Sequence, residues 1–186
     1  YYIDLHAGDT SEEVMPFVYY NVAAGEKIAR VSANMAMAAD MEVRASSAAT
    51  TGAYSSACQR GLPAILMERG GGGRFTDSEV QAYKRDVKNI MIRMGLLSGE
   101  EVHTVQQKNV TRAEYLEAET DGLWYPVFSA GDTFAGGAVL GTVRDIWGNL
   151  LREYRADYPG IVLYQTVGLG VKAGDPLIAY GEYVDR

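Results

Sequence analysis

Two spacings of apolar residues alternate along the first 110 positions. Tyr1-Tyr2-Ile3-Asp4-Leu5-His6 is an apolar run that delivers Asp4 and His6 toward its C-terminal end, and it reads as a buried strand. From residue 25 to 41, Ile28, Val31 and Met35 recur at helical spacing among alanines, with Lys27 and Arg30 on the wet face, which predicts a helix. Residues 41–45 alternate as a short strand, and residues 55–60 predict a short helix stopped by Gly61 and Pro63. Residues 63–67 follow as an apolar strand with Glu68 at its end, leading into Arg69 and four successive glycines. Thr76 and Glu79 have the spacing of a capping box, and Val80, Val87, Ile90, Met91 and Met94 supply the apolar stripe of a helix ended by Gly95. Strand–helix alternation of this kind predicts an α/β sheet layered with helices. The chain opens inside a strand with no initiator Met, so further sequence is expected upstream of Tyr1.

After about Val110 helical periodicity gives way to short Val/Leu/Tyr/Phe segments between glycine turns, which predicts a small all-β unit. The expected boundary falls within residues 105–113, giving an α/β domain over 1–110 and a β domain over 111–186. The β half carries an internal echo: Ser129-Ala130-Gly131-Asp132 and Lys172-Ala173-Gly174-Asp175 each precede an apolar segment closed by a glycine. This pattern resembles the half-repeats of barrel-sandwich domains, although no lysine occupies the turn that carrier domains modify.

Composition narrows the function. The 186 residues are 47% hydrophobic and 22% charged, an ordinary globular balance. A net charge of −7 gives no field to gather phosphate backbones or anionic lipid, so nucleic acid is not an expected partner. No run approaches the roughly 18 apolar residues of a membrane span. A single cysteine, Cys58, can form neither an internal disulfide nor a cysteine-rich zinc site, and the cytoplasm is the default compartment. With no His or Lys adjacent, Cys58 reads as a buried, inert thiol.

Few residues can carry chemistry. The two histidines are His6 and His103, and His103 lies in a polar connector where solvation explains it. His6, two residues after Asp4, reads either as a core histidine bonded to a carboxylate or as a ligand. Glu68 emerges from a hydrophobic strand, an environment that raises a carboxylate's proton affinity and suits a general base; it could instead cap the glycine turn or pair with Arg69 or Arg74. The glycine run lacks both the Gly-Lys-Ser/Thr ending of a P-loop and the spacing of a dinucleotide fingerprint, so its glycines are expected to let substrate or another strand approach the backbone. Tyr54, fourteen positions before Glu68 in a polar segment, could line the same cleft.

Asp4-Leu5-His6-Ala7-Gly8, followed about 60 residues later by Pro63-Ala64-Ile65-Leu66-Met67-Glu68-Arg69-Gly70-Gly71-Gly72, resembles the succinylglutamate desuccinylase/aspartoacylase family, a branch of the zinc carboxypeptidase-like hydrolases. Glu119-Thr120-Asp121-Gly122-Leu123 and Ser129-Ala130-Gly131-Asp132 are similar to that family's appended β domain. The resemblance implies part of a zinc-carboxypeptidase-like mixed sheet with helices, followed by a barrel-sandwich-like β domain. It also implies that His6 is the third zinc ligand, with Asp4 shaping its surroundings. Glu68 matches the glutamate that takes a proton from zinc-bound water, Tyr54 resembles a substrate-side tyrosine, and Arg60 stands in, at an inexact spacing, for a substrate arginine. The family's first two zinc ligands, in a His-x-x-Glu arrangement, precede the Asp-Leu-His strand, and His103-Thr-Val-Gln does not supply them.

The expected function is therefore zinc-dependent hydrolysis of the amide bond of an N-acylated amino acid or similar small carboxylate, complete only in a longer protein and inactive in these residues alone. Two other readings stay open: a non-catalytic binding or oligomerisation module, and a metallocarboxypeptidase acting on peptides. The appended β domain argues for a small substrate, because in the family such a domain narrows access to the cleft. An incomplete sheet at Tyr1 would expose a strand edge, so self-association is expected.

Overall fold

A computed structural model describes residues 1–183. In chain order the elements are β1 (Tyr2–His6), β2 (Glu12–Val14), β3 (Phe17–Asn21), α1 (Glu26–Ala38), β4 (Val43–Ser47), α2 (Ala53–Gln59), β5 (Ala64–Glu68), α3 (Asp77–Arg93) and β6 (Lys108–Val110). They continue as β7 (Ala113–Glu117), β8 (Gly122–Pro126), β9 (Thr133–Phe134), β10 (Val139–Arg144), β11 (Leu150–Arg155), β12 (Gly160–Thr166), β13 (Gly170–Val171) and β14 (Pro176–Glu182). The chain forms two compact units. The first takes Tyr1–Ala7, Pro16–Arg69 and Phe75–Thr111; the second takes Gly8–Met15, Gly70–Arg74 and the chain from Arg112 onward. A single cut near residue 110 does not describe the second unit, because two short excursions from the first half also belong to it.

The first unit holds a five-stranded mixed sheet in the order β1-β5-β3-β4-β6. Neighbours run parallel except β3 and β5, which are antiparallel. The strand β3 was not marked by periodicity: Phe17-Val18-Tyr19-Tyr20 is a short apolar run without alternation, and it enters the middle of the sheet. Strand alternation sends Ile65 and Met67 to one face, where they pack with Met35, Ala36 and Ala38 of α1 and Ile90 of α3. The opposite face carries Ala64 and Leu66, covered by Tyr54 and Cys58 of α2 with Tyr2, Tyr19 and Ile28 packed around them. The capping box is complete: the Thr76 hydroxyl accepts the Glu79 N–H, and the Glu79 carboxylate accepts the Thr76 N–H, which fixes where α3 begins.

The second unit is built of antiparallel strands in two sheets, one ordered β11-β10-β8-β13, the other β2-β12-β14-β7 with β9 paired to β12. Its core centres on Trp124, Leu140, Val143, Leu177 and Tyr180. The sequence echo is a repeated turn. Asp132 accepts the Ser129 N–H and Asp175 the Lys172 N–H, both at 2.8 Å, and Gly131 and Gly174 share a φ of 90°. The first turn feeds β9 and the second β14. The glycine run has two causes: a Cβ on Gly71 would lie 2.4 Å from the Glu12 carbonyl oxygen, where the backbone of β2 passes against the loop, and Gly70, Gly72 and Gly73 take positive φ.

Candidate active site

β1 and β5 lie side by side in parallel, with Asp4 opposite Leu66 and His6 opposite Glu68. Since alternate residues share a face, Tyr2, Asp4 and His6 point the same way as Ala64, Leu66 and Glu68, and the polar ones collect where both strands end. The His6 Nε2 is 3.4 Å from Asp4 Oδ1, and its Nδ1 is 3.5 Å from Glu68 Oε1. The imidazole is 47% exposed, whereas the Asp4 and Glu68 side chains keep 15% and 16%. An accessible histidine thus sits between two largely buried carboxylates. Tyr2 extends this row: its phenol pKa is raised by desolvation, then by the charge of Asp4 and a hydrogen bond to it.

The other proposed residues are placed differently. Tyr54 is buried in the cluster on this same sheet face, with Cys58, Ala64 and Leu66. Arg60 is the exposed C-cap of α2, just before the chain enters β5, so a strand of five residues, about 13 Å by ordinary strand rise, separates its backbone from Glu68. Cys58 is buried, donating to the Ala64 carbonyl at 3.6 Å, in keeping with an inert thiol. His103 contacts Glu101 at 2.9 Å, a carboxylate also held by Arg93.

Behind the pair lies a set of charges that sequence reasoning did not find. Arg69 pairs with Asp86 at 2.8 Å and Arg85 with Asp40 at 3.0 Å; both aspartate side chains are fully buried. The two pairs are joined by the Asp40 N–H, which donates to Asp86 Oδ1 at 2.9 Å. Burial pushes both carboxyls up, but with opposite net results. For Asp86 burial prevails over the Asp40 N–H and the two arginines, and its pKa is raised. For Asp40 the Thr104 N–H and hydroxyl, the Val105 N–H and Arg85 prevail, and its pKa is lowered. Tyr83 of α3 stands beside them, the Arg69 guanidinium 5.4 Å from its ring centroid. Its phenol pKa is raised by burial, then by the charge of Glu68, so the hydroxyl stays a donor. The available signal was that Tyr83 and Asp86 fall on the apolar stripe of α3, where a charged residue needs a partner.

A depressed Asp40 pKa contributes stability that is complete above its ordinary value of 3.8 and is lost as pH falls through the lower folded value. Asp40→Asn is expected to be less stable than the parent at neutral pH, with the gap narrowing as pH falls from about 5 to well below 3.8. Urea midpoints across that window check this; a gap that stays constant would show that the carboxylate charge contributes nothing.

The zinc expectation can be set against these donors. His6 is the one imidazole of the pair, and among the described residues no group of three or more His, Cys, Asp and Glu side chains is arranged to hold a metal ion. Catalytic zinc takes three protein ligands, so these residues do not form such a centre by themselves.

No protein-family model matches the chain. A curated relative, N-alpha-acetyl-L-2,4-diaminobutyric acid deacetylase of Halomonas elongata, is 25% identical over 192 residues, covering 98% of this chain and 56% of the relative. The product-bound structure of the ectoine utilization protein EutE (DoeB) from Ruegeria pomeroyi superposes with a TM-score of 0.86 at 23% identity, over 97% of this chain and 57% of that one. A succinylglutamate desuccinylase/aspartoacylase from Rhodobacter sphaeroides gives 0.84 at 22% identity, over 98% and 58%. The chain thus spans somewhat more than half the length of each of these relatives. Across nearly all of its own length it has the fold of the succinylglutamate desuccinylase/aspartoacylase family.

Proposed function

We propose that this chain is part of a deacylase that hydrolyses the amide bond of a small N-acylated amino acid, with Glu68 as its general base. The observation that carries the reading is the meeting of strand ends that sets an accessible His6 between Asp4 and Glu68 at 3.4 and 3.5 Å. The names of the relatives agree: one is a deacetylase of an N-acetylated diaminobutyric acid, and another is a succinylglutamate desuccinylase/aspartoacylase.

In this reading Glu68 takes a proton from the water that attacks the amide carbonyl. As the carbon–oxygen bond forms and the carbon–nitrogen bond breaks, Glu68 returns the proton to the departing amine, leaving a carboxylate and a free amino group. Asp4 orients the imidazole by facing its Nε2, as carboxylates commonly do for working histidines. Tyr54 reaches substrate by a turn of its ring out of the α2 cluster, and Arg60 needs a substrate that extends to the far end of β5. Zinc is the proposed cofactor and His6 one of its ligands; the donors among the described residues fall short of a full set, and the steps above use none of the ion's chemistry. The proposed partner is a small molecule acting in the cytoplasm, and self-association stays part of the proposal. No helix among the described residues is long and apolar enough to cross a membrane.

The test, made on the longer protein that contains this chain, is release of free amine from a panel of N-acetyl and N-succinyl amino acids, set against N-acylated peptides, with zinc supplied. Turnover confined to the single amino acids is the expected result. Turnover of peptides alone would point to a carboxypeptidase, and none at all to a binding or assembly module.

A further inference from the structure

One side chain of α3 touches both strands of the candidate site. The Tyr83 hydroxyl donates to the His6 carbonyl oxygen and also lies 3.1 Å from the Met67 carbonyl oxygen. These carbonyls sit at the ends of neighbouring parallel strands, where the regular ladder stops and a single backbone bond, from the Gly8 N–H to the Gly70 carbonyl at 3.2 Å, follows it. One belongs to the histidine, the other to the residue before Glu68. The residue after Glu68 is tied to the same helix: Arg69 donates to Asp86 at 2.8 Å, three positions beyond Tyr83 on α3 and therefore on the same side of it. Glu68 is thus flanked by two residues that a single helical turn holds, and His6 hangs from the same hydroxyl. The capping box adds precision, since Glu79 lies one turn before Tyr83 and fixes the start of the helix.

We propose that Tyr83 is a positioning residue, whose hydroxyl sets the spacing of His6 and Glu68 by joining the ends of β1 and β5. The effect on catalysis rests on the deacylase reading above; the effect on the strand ends does not. Bifurcated donation to both carbonyls is a geometric demand that phenylalanine cannot meet, while it keeps the ring packed beneath the Arg69 guanidinium.

The experiment compares the longer protein that contains this chain with its Tyr83→Phe variant by three readouts: the carbonyl-carbon NMR shifts of His6 and Met67, amide hydrogen exchange along β1 and β5, and kcat and KM on an N-acetyl amino acid. The expected result is a change in both carbonyl shifts and exchange about tenfold faster at the two strand ends, with the rest of the sheet unaffected. A loss of about tenfold in kcat with KM nearly unchanged is expected alongside, because a small misplacement of reacting groups costs rate before it costs binding. Unchanged shifts and exchange would overturn the proposal. So would loosened strand ends with an unaltered kcat, which would make the bond structural only. If the parent turns over no substrate, it is the deacylase reading that fails, and the shift and exchange measurements decide the role of Tyr83 by themselves.

Discussion

Glu68→Gln is expected to lose about 10²- to 10⁴-fold in kcat/KM, the range ordinarily supplied by a positioned general base, while the fold stays intact. Glutamine has nearly the same shape, keeps an oxygen toward the His6 Nδ1, and differs in what it lacks: a basic site for the proton of the attacking water. Stability should change by less than about 1 kcal/mol, because the side chain stands at the end of a strand with part of its surface in water. Glu68→Asp keeps the charge but draws it back by a methylene, so an intermediate loss is expected. Steady-state kinetics of the parent and both variants, beside their urea midpoints, check the ordering. Equal rates for the parent and Glu68→Gln would remove Glu68 from the mechanism even if the chain proved to be a deacylase.

The parts of this arrangement that follow local periodicity could be read in advance. Asp4 and His6 are two residues apart on one strand, and Glu68 ends another, so each was visible as a polar group delivered by an apolar run. Thr76 and Glu79 announced the start of α3 through a spacing that has one strong structural meaning. What could not be read depends on register between distant segments. That His6 stands opposite Glu68 is a property of the β1–β5 pairing, and nothing in either segment names the other as its neighbour. The resemblance to a known family supplied that link, not the spacing. The same limit hid the second unit's two excursions, Gly8–Met15 and Gly70–Arg74, each too short to carry a pattern of its own. Arg60 shows how little a short sequence separation fixes: it precedes β5 and Glu68 ends it, and a strand carries its two ends apart.

Asp86→Ala is expected to destabilise the first unit by about 3–5 kcal/mol, the usual cost of removing one member of a buried ion pair. The carboxylate is fully buried and holds two donors at once, the Arg69 guanidinium and the Asp40 N–H. Alanine would strand both. Arg69 could not escape easily, since its side chain is only 10% exposed and its Nε already lacks a partner. Burial raises the Asp86 pKa against the pull of its partners, so the native pair is expected not to be a large source of stability in itself. This separates two explanations of the loss. If the damage comes mainly from the orphaned arginine, the double variant Arg69→Met/Asp86→Leu should recover most of it, short of the parent by the Asp40 N–H that still lacks its acceptor. If the pair contributes strongly in its own right, the double variant should be as unstable as Asp86→Ala. Urea unfolding of the parent, Asp86→Ala and the double variant distinguishes these outcomes. The kinetics of a folded double variant then show whether the link from Asp86 through Arg69 to the backbone beside Glu68 serves the reaction. A stable double variant with a reduced kcat would mean that the buried charges are kept for the placement of Glu68 and not for the stability of the fold.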